Sequence, residues 1–133
     1  GADEIDYVVN LTKLKAGDTA YIESEMARIT DICREFSVVS KVIFENCYLT
    51  EDEKKTLCHI ATKVKPDFIK TSTGFGTGGA TFEDVALMKR ETEGSGVKIK
   101  AAGGIRTLKT ALEMINLGVS RIGSTSSVAI MEE

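Results

Sequence analysis

The chain has 133 residues, 42 % of them hydrophobic and 28 % charged, so it is long enough for one ordinary domain and too apolar for a disordered one. Its net charge of -3 argues against nucleic acid or an anionic membrane surface as a partner. No apolar run approaches the roughly 20 residues that a membrane-spanning helix needs.

Strands and helices alternate regularly along the chain. Runs rich in β-branched and aromatic residues predict strands at 4–9, 38–46, 67–72, 97–102 and 120–124. Amphipathic stretches between them predict helices at about 19–35, 51–64, 81–93 and 107–117. Start signals precede these helices at Asp18, Thr50, Thr81 and Thr107. This alternation predicts right-handed βαβ units and a parallel sheet.

Charged residues inside the predicted strands help to choose between two architectures, an open doubly wound sheet and part of a (β/α)8 barrel. They are Asp6, Lys41, Glu45, Lys70, Lys98 and Lys100. An open sheet covered by helices on both faces would bury these charges, whereas a barrel has a wet, functional C-terminal mouth. The predicted fold class is therefore α/β, a partial TIM barrel of five parallel strands, with Asp6, Lys70 and Lys100 converging at the mouth.

The stretch DFIKTSTGF, residues 67–75, places Lys70 in an otherwise apolar strand. Lysine is rarely fully buried, and removing it from water disfavours its charged form. Either Lys70 extends its amine to solvent, as a lone lysine in a strand usually does, or its burial makes the amine reactive. The glycine-rich segment that follows, residues 73–81, predicts a mobile loop over a site.

Two glycine-containing segments each follow a strand and open a helix. They are AAGGIRT at 101–107 and RIGSTSS at 121–127. Two such turns in succession favour a phosphate site, since backbone N–H groups at helix starts attract anions. The candidate phosphate ligands are Gly103, Gly104, Arg106, Gly123, Ser124, Thr125 and Ser126. The alternative is that these glycines only allow tight turns.

The cysteine and histidine content predicts no metal site. Cys33, Cys47 and Cys58 have no CxxC spacing and indicate reduced thiols in a cytoplasmic protein. The single histidine, His59, is interpreted as a structural or surface residue in a helix. One histidine supplies neither a multi-histidine metal site nor the usual Ser-His triad.

Six segments together resemble the deoxyribose-phosphate aldolase family: GADEIDYVVN, KVIFE, DFIKTSTGF, TGGAT, VKIKAAGGIRT and RIGSTSS. The resemblance extends over essentially the whole chain, in the family's order and spacing. It implies a class I aldolase on a (β/α)8 barrel that works without a metal or cofactor in the cytoplasm. It also implies reversible cleavage of 2-deoxy-D-ribose 5-phosphate to acetaldehyde and glyceraldehyde 3-phosphate, a step of deoxyribonucleotide catabolism.

The resemblance assigns roles to individual residues. Lys70 matches the nucleophile that forms the Schiff base, and Lys100 matches the second active-site lysine. Asp6 matches the carboxylate that transfers a proton, and Lys41 matches a polar residue lining the interior. The phosphate would be held by the two glycine turns, and Thr73 would also contact the substrate.

The chain departs from the family in its number of strands. A complete barrel of this type has eight strands and about 250 residues, whereas five strands are predicted here. Residues 1–133 are therefore expected to form one partial barrel domain that lacks the first three βα units. Its two open sheet edges predict a homo-oligomer or association with the missing segment. The alternatives are an inactive, self-associating barrel fragment and a phosphate-binding module of the flavodoxin type.

Overall fold

The computed structural model describes all 133 residues as an alternation of strands and helices. The strands are β1 (Glu4–Val8), β2 (Val39–Ile43), β3 (Phe68–Lys70), β4 (Lys98–Ala102) and β5 (Arg121–Gly123). The helices are α1 (Leu11–Lys15), α2 (Thr19–Glu35), α3 (Glu51–Val64), α4 (Phe82–Glu91), α5 (Leu108–Asn116) and α6 (Ser127–Glu132). None of the helices is both long and apolar enough to cross a membrane.

The four predicted helix starts are confirmed, because each capping side chain satisfies a free N–H of the first turn. The side chains of Asp18, Thr50, Thr81 and Thr107 each accept a hydrogen bond from the N–H three residues further on. The predicted bounds of α2 and α3 agree with the structure. The short helix α1 was not predicted, since its five residues carry too weak a periodic pattern.

All strands are parallel and lie in the order β1-β2-β3-β4-β5. A doubly wound sheet reverses its strand order at a switch point, and no reversal occurs here. The predicted alternatives of a doubly wound sheet and a flavodoxin-type module are therefore wrong, and the barrel-like strand order is confirmed. Strands β1 and β5 each pair on one side only, so both edges of the sheet are open.

The two faces of the sheet differ sharply in polarity because alternate strand residues point to opposite sides. Val42, Ile69, Ile99 and Ala101 point outward and join the hydrophobic core beneath the helices. The inner face carries the charges, including Lys41, which is only 2 % exposed. Helices cover the outer face alone, so the charged inner face corresponds to the interior of a barrel and positions the candidate site.

Candidate active site

The structure brings together the four charged residues that the sequence placed in the barrel interior. Asp6 Oδ2 accepts a hydrogen bond from Lys70 Nζ at 2.8 Å and lies 3.6 Å from Lys100 Nζ. Asp6 Oδ1 accepts from Lys41 Nζ at 2.9 Å. Strand register explains the meeting, because Lys70 is the partner of Lys100 and Asp6 is the partner of Lys41. One carboxylate thus faces three ammonium groups.

The lysines hold Asp6 in its ionised form. Partial burial by itself raises the pKa of Asp6, but hydrogen bonds from Lys70 and Lys41 outweigh that cost. Together with the charges of Lys70 and Lys100 they lower the pKa of Asp6 to about 2. The carboxylate is therefore negative throughout the neutral range and balances the charges of the lysines around it.

Lys100 and Lys41 differ in how strongly they hold their protons. The pKa of Lys100 is lowered, first by its burial and then by the positive charge of Lys70. Burial also opposes the charge of Lys41, but hydrogen bonds with Glu4 and Asp6 outweigh it and raise the pKa of Lys41. Lys100 is thus the better placed of the two to give up a proton, whereas Lys41 is a fixed positive charge.

A second layer of the inner face lies below these residues, and the sequence analysis singled out only its Lys98. Glu4 Oε2 lies 2.5 Å from both Lys41 Nζ and Arg121 Nη1, so it joins the first strand to the last. The Lys98 ammonium and the Arg121 guanidinium lie over the Phe68 ring, at 5.7 Å and 4.8 Å from its centroid. The two-residue spacing of Glu4 and Asp6 is the signal that could have identified Glu4.

A pocket of about 410 Å³ opens beside the two lysines. It is lined by Lys70, Lys100 and the turns that follow β4 and β5. Its lining includes these predicted site residues: Lys70, Thr73, Lys100, Gly103, Gly104, Arg106, Gly123, Ser124 and Thr125. Three predicted site residues do not line the pocket: Asp6, Lys41 and Ser126.

The turns after β4 and β5 both line this pocket and carry unpaired hydrogen-bond donors. Gly103 and Gly104 have φ values of 90° and 76°, a conformation that side-chain-bearing residues rarely adopt. The backbone N–H groups of Gly104, Arg106 and Thr125 donate to no acceptor in the protein. The exposed Arg106 guanidinium forms no ion pair, so it adds a free positive charge. Unpaired N–H groups beside a free cation form a cradle suited to an anion.

Two of the serines in the second turn have structural partners. Ser124 Oγ donates to the Ile105 carbonyl at 2.6 Å and accepts from Ser126 N–H at 2.9 Å. The Ser124 hydroxyl therefore ties the two glycine turns together. Gly123 allows the close approach of β5, since a Cβ there would lie 3.3 Å from Lys100 Cε.

The other sequence candidates lie outside the pocket. His59 is exposed on α3 and its Nε2 lies 2.8 Å from Glu91 Oε2, which fits the surface role predicted for it. The three cysteines are free thiols. No group of three or more histidine, cysteine, aspartate or glutamate side chains is placed to hold a metal ion.

Comparisons with known proteins identify similar aldolases. A model of the DeoC/LacD family aldolases matches residues 1–124. The chain is 57 % identical to a deoxyribose-phosphate aldolase of Lactobacillus acidophilus and 52 % identical to one of Thermococcus kodakarensis, each over 99 % of the chain.

Two solved structures are also similar. A structure described as QR15, an aldolase, is 44 % identical with a TM-score of 0.89, over 99 % of this chain and 58 % of that one. A tetrameric deoxyribose phosphate aldolase from Aeropyrum pernix is 28 % identical with a TM-score of 0.86, over 99 % of this chain and 55 % of that one. The chain spans 55 % of the Lactobacillus relative and 58 % of the Thermococcus relative.

Proposed function

Because the chain belongs to the DeoC/LacD aldolase family, we propose that it carries the Schiff-base site of a class I aldolase acting on 2-deoxy-D-ribose 5-phosphate. One observation carries this proposal: Lys70 and Lys100 converge on the Asp6 carboxylate beside a cradle of unpaired N–H groups. The products are acetaldehyde and glyceraldehyde 3-phosphate, and the reaction is reversible. The names of the similar aldolases supply the substrate.

The first step is attack of the Lys70 amine on the aldehyde carbon of the open-chain sugar. The amine loses its proton, the new C–N bond forms, and water leaves to give an iminium. Lys70 begins in an ion pair with Asp6 at 2.8 Å, so its proton must pass to solvent before the amine attacks. Only the unprotonated amine has the lone pair that this step needs.

The second step breaks the bond between C2 and C3 of the sugar. A base removes the proton of the C3 hydroxyl, the C2–C3 electron pair moves toward the iminium nitrogen, and glyceraldehyde 3-phosphate leaves. The enamine that remains on Lys70 is protonated at C2, and water then releases acetaldehyde. Asp6, through a water, and Lys100, with its lowered pKa, are the candidate groups for these proton transfers.

The anion cradle gives the substrate its orientation. A phosphate bound by the N–H groups of Gly104 and Thr125, with Arg106 beside it, fixes the far end of the sugar. The aldehyde end then reaches Lys70 across the same pocket. Binding energy from the phosphate therefore positions the reacting carbon, which is an efficient use of a group that does not itself react.

We also propose that residues 1–133 form one partial barrel domain and supply five of the eight strands of the complete barrel. The open edges of β1 and β5 support this, because both are free to pair with further strands. A companion segment of three βα units, or a neighbouring copy of the chain, would cover them. The chain alone is expected to have weak or no turnover, since part of the pocket wall is then missing. Its free thiols suit the reducing cytoplasm.

The test uses this chain fused to the part of the Lactobacillus acidophilus relative that it does not match. Asp6→Asn is expected to keep imine formation on Lys70 while slowing proton exchange at the acetaldehyde methyl group, because the proton acceptor is lost. Asp3→Asn is the matched control, since Asp3 is exposed and forms no ion pair. Normal methyl exchange in Asp6→Asn would refute the role of Asp6, and a fused enzyme without aldolase activity would refute the function.

A further inference from the structure

Glu45 is a buried carboxylate with no cation to neutralise it. It is 5 % exposed, and it takes part in none of the ion pairs of the chain. Its Oε1 accepts from the Thr73 N–H at 3.1 Å, and its Oε2 accepts from the Thr73 hydroxyl. A buried charge is costly unless it is hydrogen-bonded, so these two bonds to a single residue explain how Glu45 is tolerated.

The backbone at Glu45 is bent so that its side chain reaches Thr73. Its φ and ψ are 46° and 58°, the left-handed region, which costs a residue with a side chain about 1 kcal/mol or more. The bend ends the extended stretch after β2 and starts a 3-10 turn at Asn46–Tyr48. On either side of it, Phe44 N–H donates to the Lys70 carbonyl and Asn46 N–H donates to the Thr71 carbonyl. The bend is therefore held against the residues next to the nucleophile.

Thr73 connects Glu45 to the loop that follows β3. Its hydroxyl donates a hydrogen bond to Glu45 and accepts one from the Phe75 N–H at 3.0 Å. The hydroxyl proton is thus already used in a hydrogen bond within the protein, although Thr73 and Gly74 line the pocket. Phe75 at the loop tip is 97 % exposed, so its side chain contributes nothing to holding the loop.

The far end of the same loop rests on the anion cradle. Ala80 N–H donates to the carbonyls of Ala102 and Gly103 at 3.1 Å and 3.0 Å. Gly79 packs so tightly there that a Cβ would lie 2.3 Å from the Gly103 carbonyl oxygen. Residues 73–80 therefore link Glu45 at one end to the turn that presents the free N–H groups at the other.

We propose that Glu45 is a positioning residue that fixes the 73–80 loop, and through it the anion cradle, in the shape that binds the sugar phosphate. The assignment of the ligand rests on the proposed function, whereas the anchoring of the loop does not. Glu45 is not one of the reacting groups, and it acts on the loop through Thr73. Its loss should weaken binding of the phosphorylated substrate and leave the amine chemistry of Lys70 intact.

The anchoring is tested by hydrogen exchange of the 133-residue chain. Glu45→Gln offers one acceptor oxygen in place of two, so exchange of the Phe75 amide should rise about tenfold while β4 amides keep their rates. Thr73→Val removes the acceptor of the Phe75 amide directly, so it sets the upper limit of that rise. Cys47→Ala is the control, because the thiol also approaches Glu45 but makes neither bond to Thr73. Unchanged exchange at Phe75, or an equal rise in β4, would overturn the proposal.

The effect on binding is tested with the fused enzyme. Glu45→Gln should raise KM for 2-deoxyribose 5-phosphate about tenfold, while borohydride trapping of acetaldehyde on Lys70 changes less than about twofold. A general loss of structure would lower trapping as well, and that result would overturn the positioning role. An inactive fused enzyme whose Glu45→Gln variant still shows the loop effect would refute the proposed function and leave the anchoring in place.

Discussion

Replacing Asp6 with asparagine removes the carboxylate that faces three lysines, and its effect on folding stability follows from the pKa of that group. In the folded chain the pKa is about 2, against an ordinary value of 3.8. Because the folded-state pKa is depressed, the ionised carboxylate stabilises the fold above about pH 4, and this contribution disappears as the pH falls through about 2.

The expected loss in the free energy of unfolding is modest. Each pKa unit is worth about 1.4 kcal/mol, so the lowering corresponds to about 2.5 kcal/mol at most. The Asp6 side chain is 28 % exposed, and screening by water reduces the expected contribution to about 1 kcal/mol. Asp6→Asn should therefore lower the free energy of unfolding by about 1 kcal/mol near neutral pH, and the difference should fall to about half near pH 3.

Urea denaturation of the wild type, Asp6→Asn and Asp3→Asn at neutral pH and near pH 3 measures this difference. Carboxylates outside the Asp6 cluster titrate equally in all three proteins, so they cancel when the variants are compared with the wild type at one pH. The free energy of unfolding of Asp3→Asn should match that of the wild type at both pH values. An Asp6→Asn deficit that is independent of pH, or a variant more stable than the wild type, would refute the ion-pair reasoning.

Two further predictions concern the pocket. Arg106→Ala in the fused enzyme should raise KM for the phosphorylated sugar about tenfold, because the guanidinium binds only the phosphate. KM for the dephosphorylated analogue should rise less. Equal increases for both sugars would show that Arg106 is not part of the anion site. Gly79→Ala should cost about 1–3 kcal/mol in thermal or urea unfolding, because its Cβ would overlap the Gly103 carbonyl. Gly78→Ala, whose Cβ would meet its nearest neighbour at 3.4 Å, should be nearly neutral, and similar losses in both would contradict the packing argument.

Much of the fold was predictable because local signals and tertiary structure agree. Capping side chains at Asp18 and Thr50 fix the starts of α2 and α3, and their predicted bounds agree with the structure. The two-residue period of the strands places Asp6, Lys70 and Lys100 on one face, so their meeting followed from the barrel order. These features depend on neighbours in sequence or on simple strand register.

Other features depend on contacts that no local pattern records. Strand β3 was predicted to reach residue 72 but ends at Lys70, because the Thr71 hydroxyl exchanges two hydrogen bonds with Ala102 in place of the backbone ladder. The role of Glu45 needs a left-handed bend that its residue type does not favour. The link from Glu4 to Arg121 joins residues at opposite ends of the chain. Such partners become visible only in three dimensions.

Borohydride reduction with acetaldehyde, followed by mass mapping of the lysines, tests the central claim most directly. Imine formation needs an amine that can lose its proton, and Lys70, Lys100 and Asp6 all lie within the 133 residues. The account predicts that one ethyl group is added to the peptide containing Lys70 and that Lys70→Ala abolishes the adduct. An adduct on Lys100, labelling spread evenly over the surface lysines, or no adduct at all would contradict it.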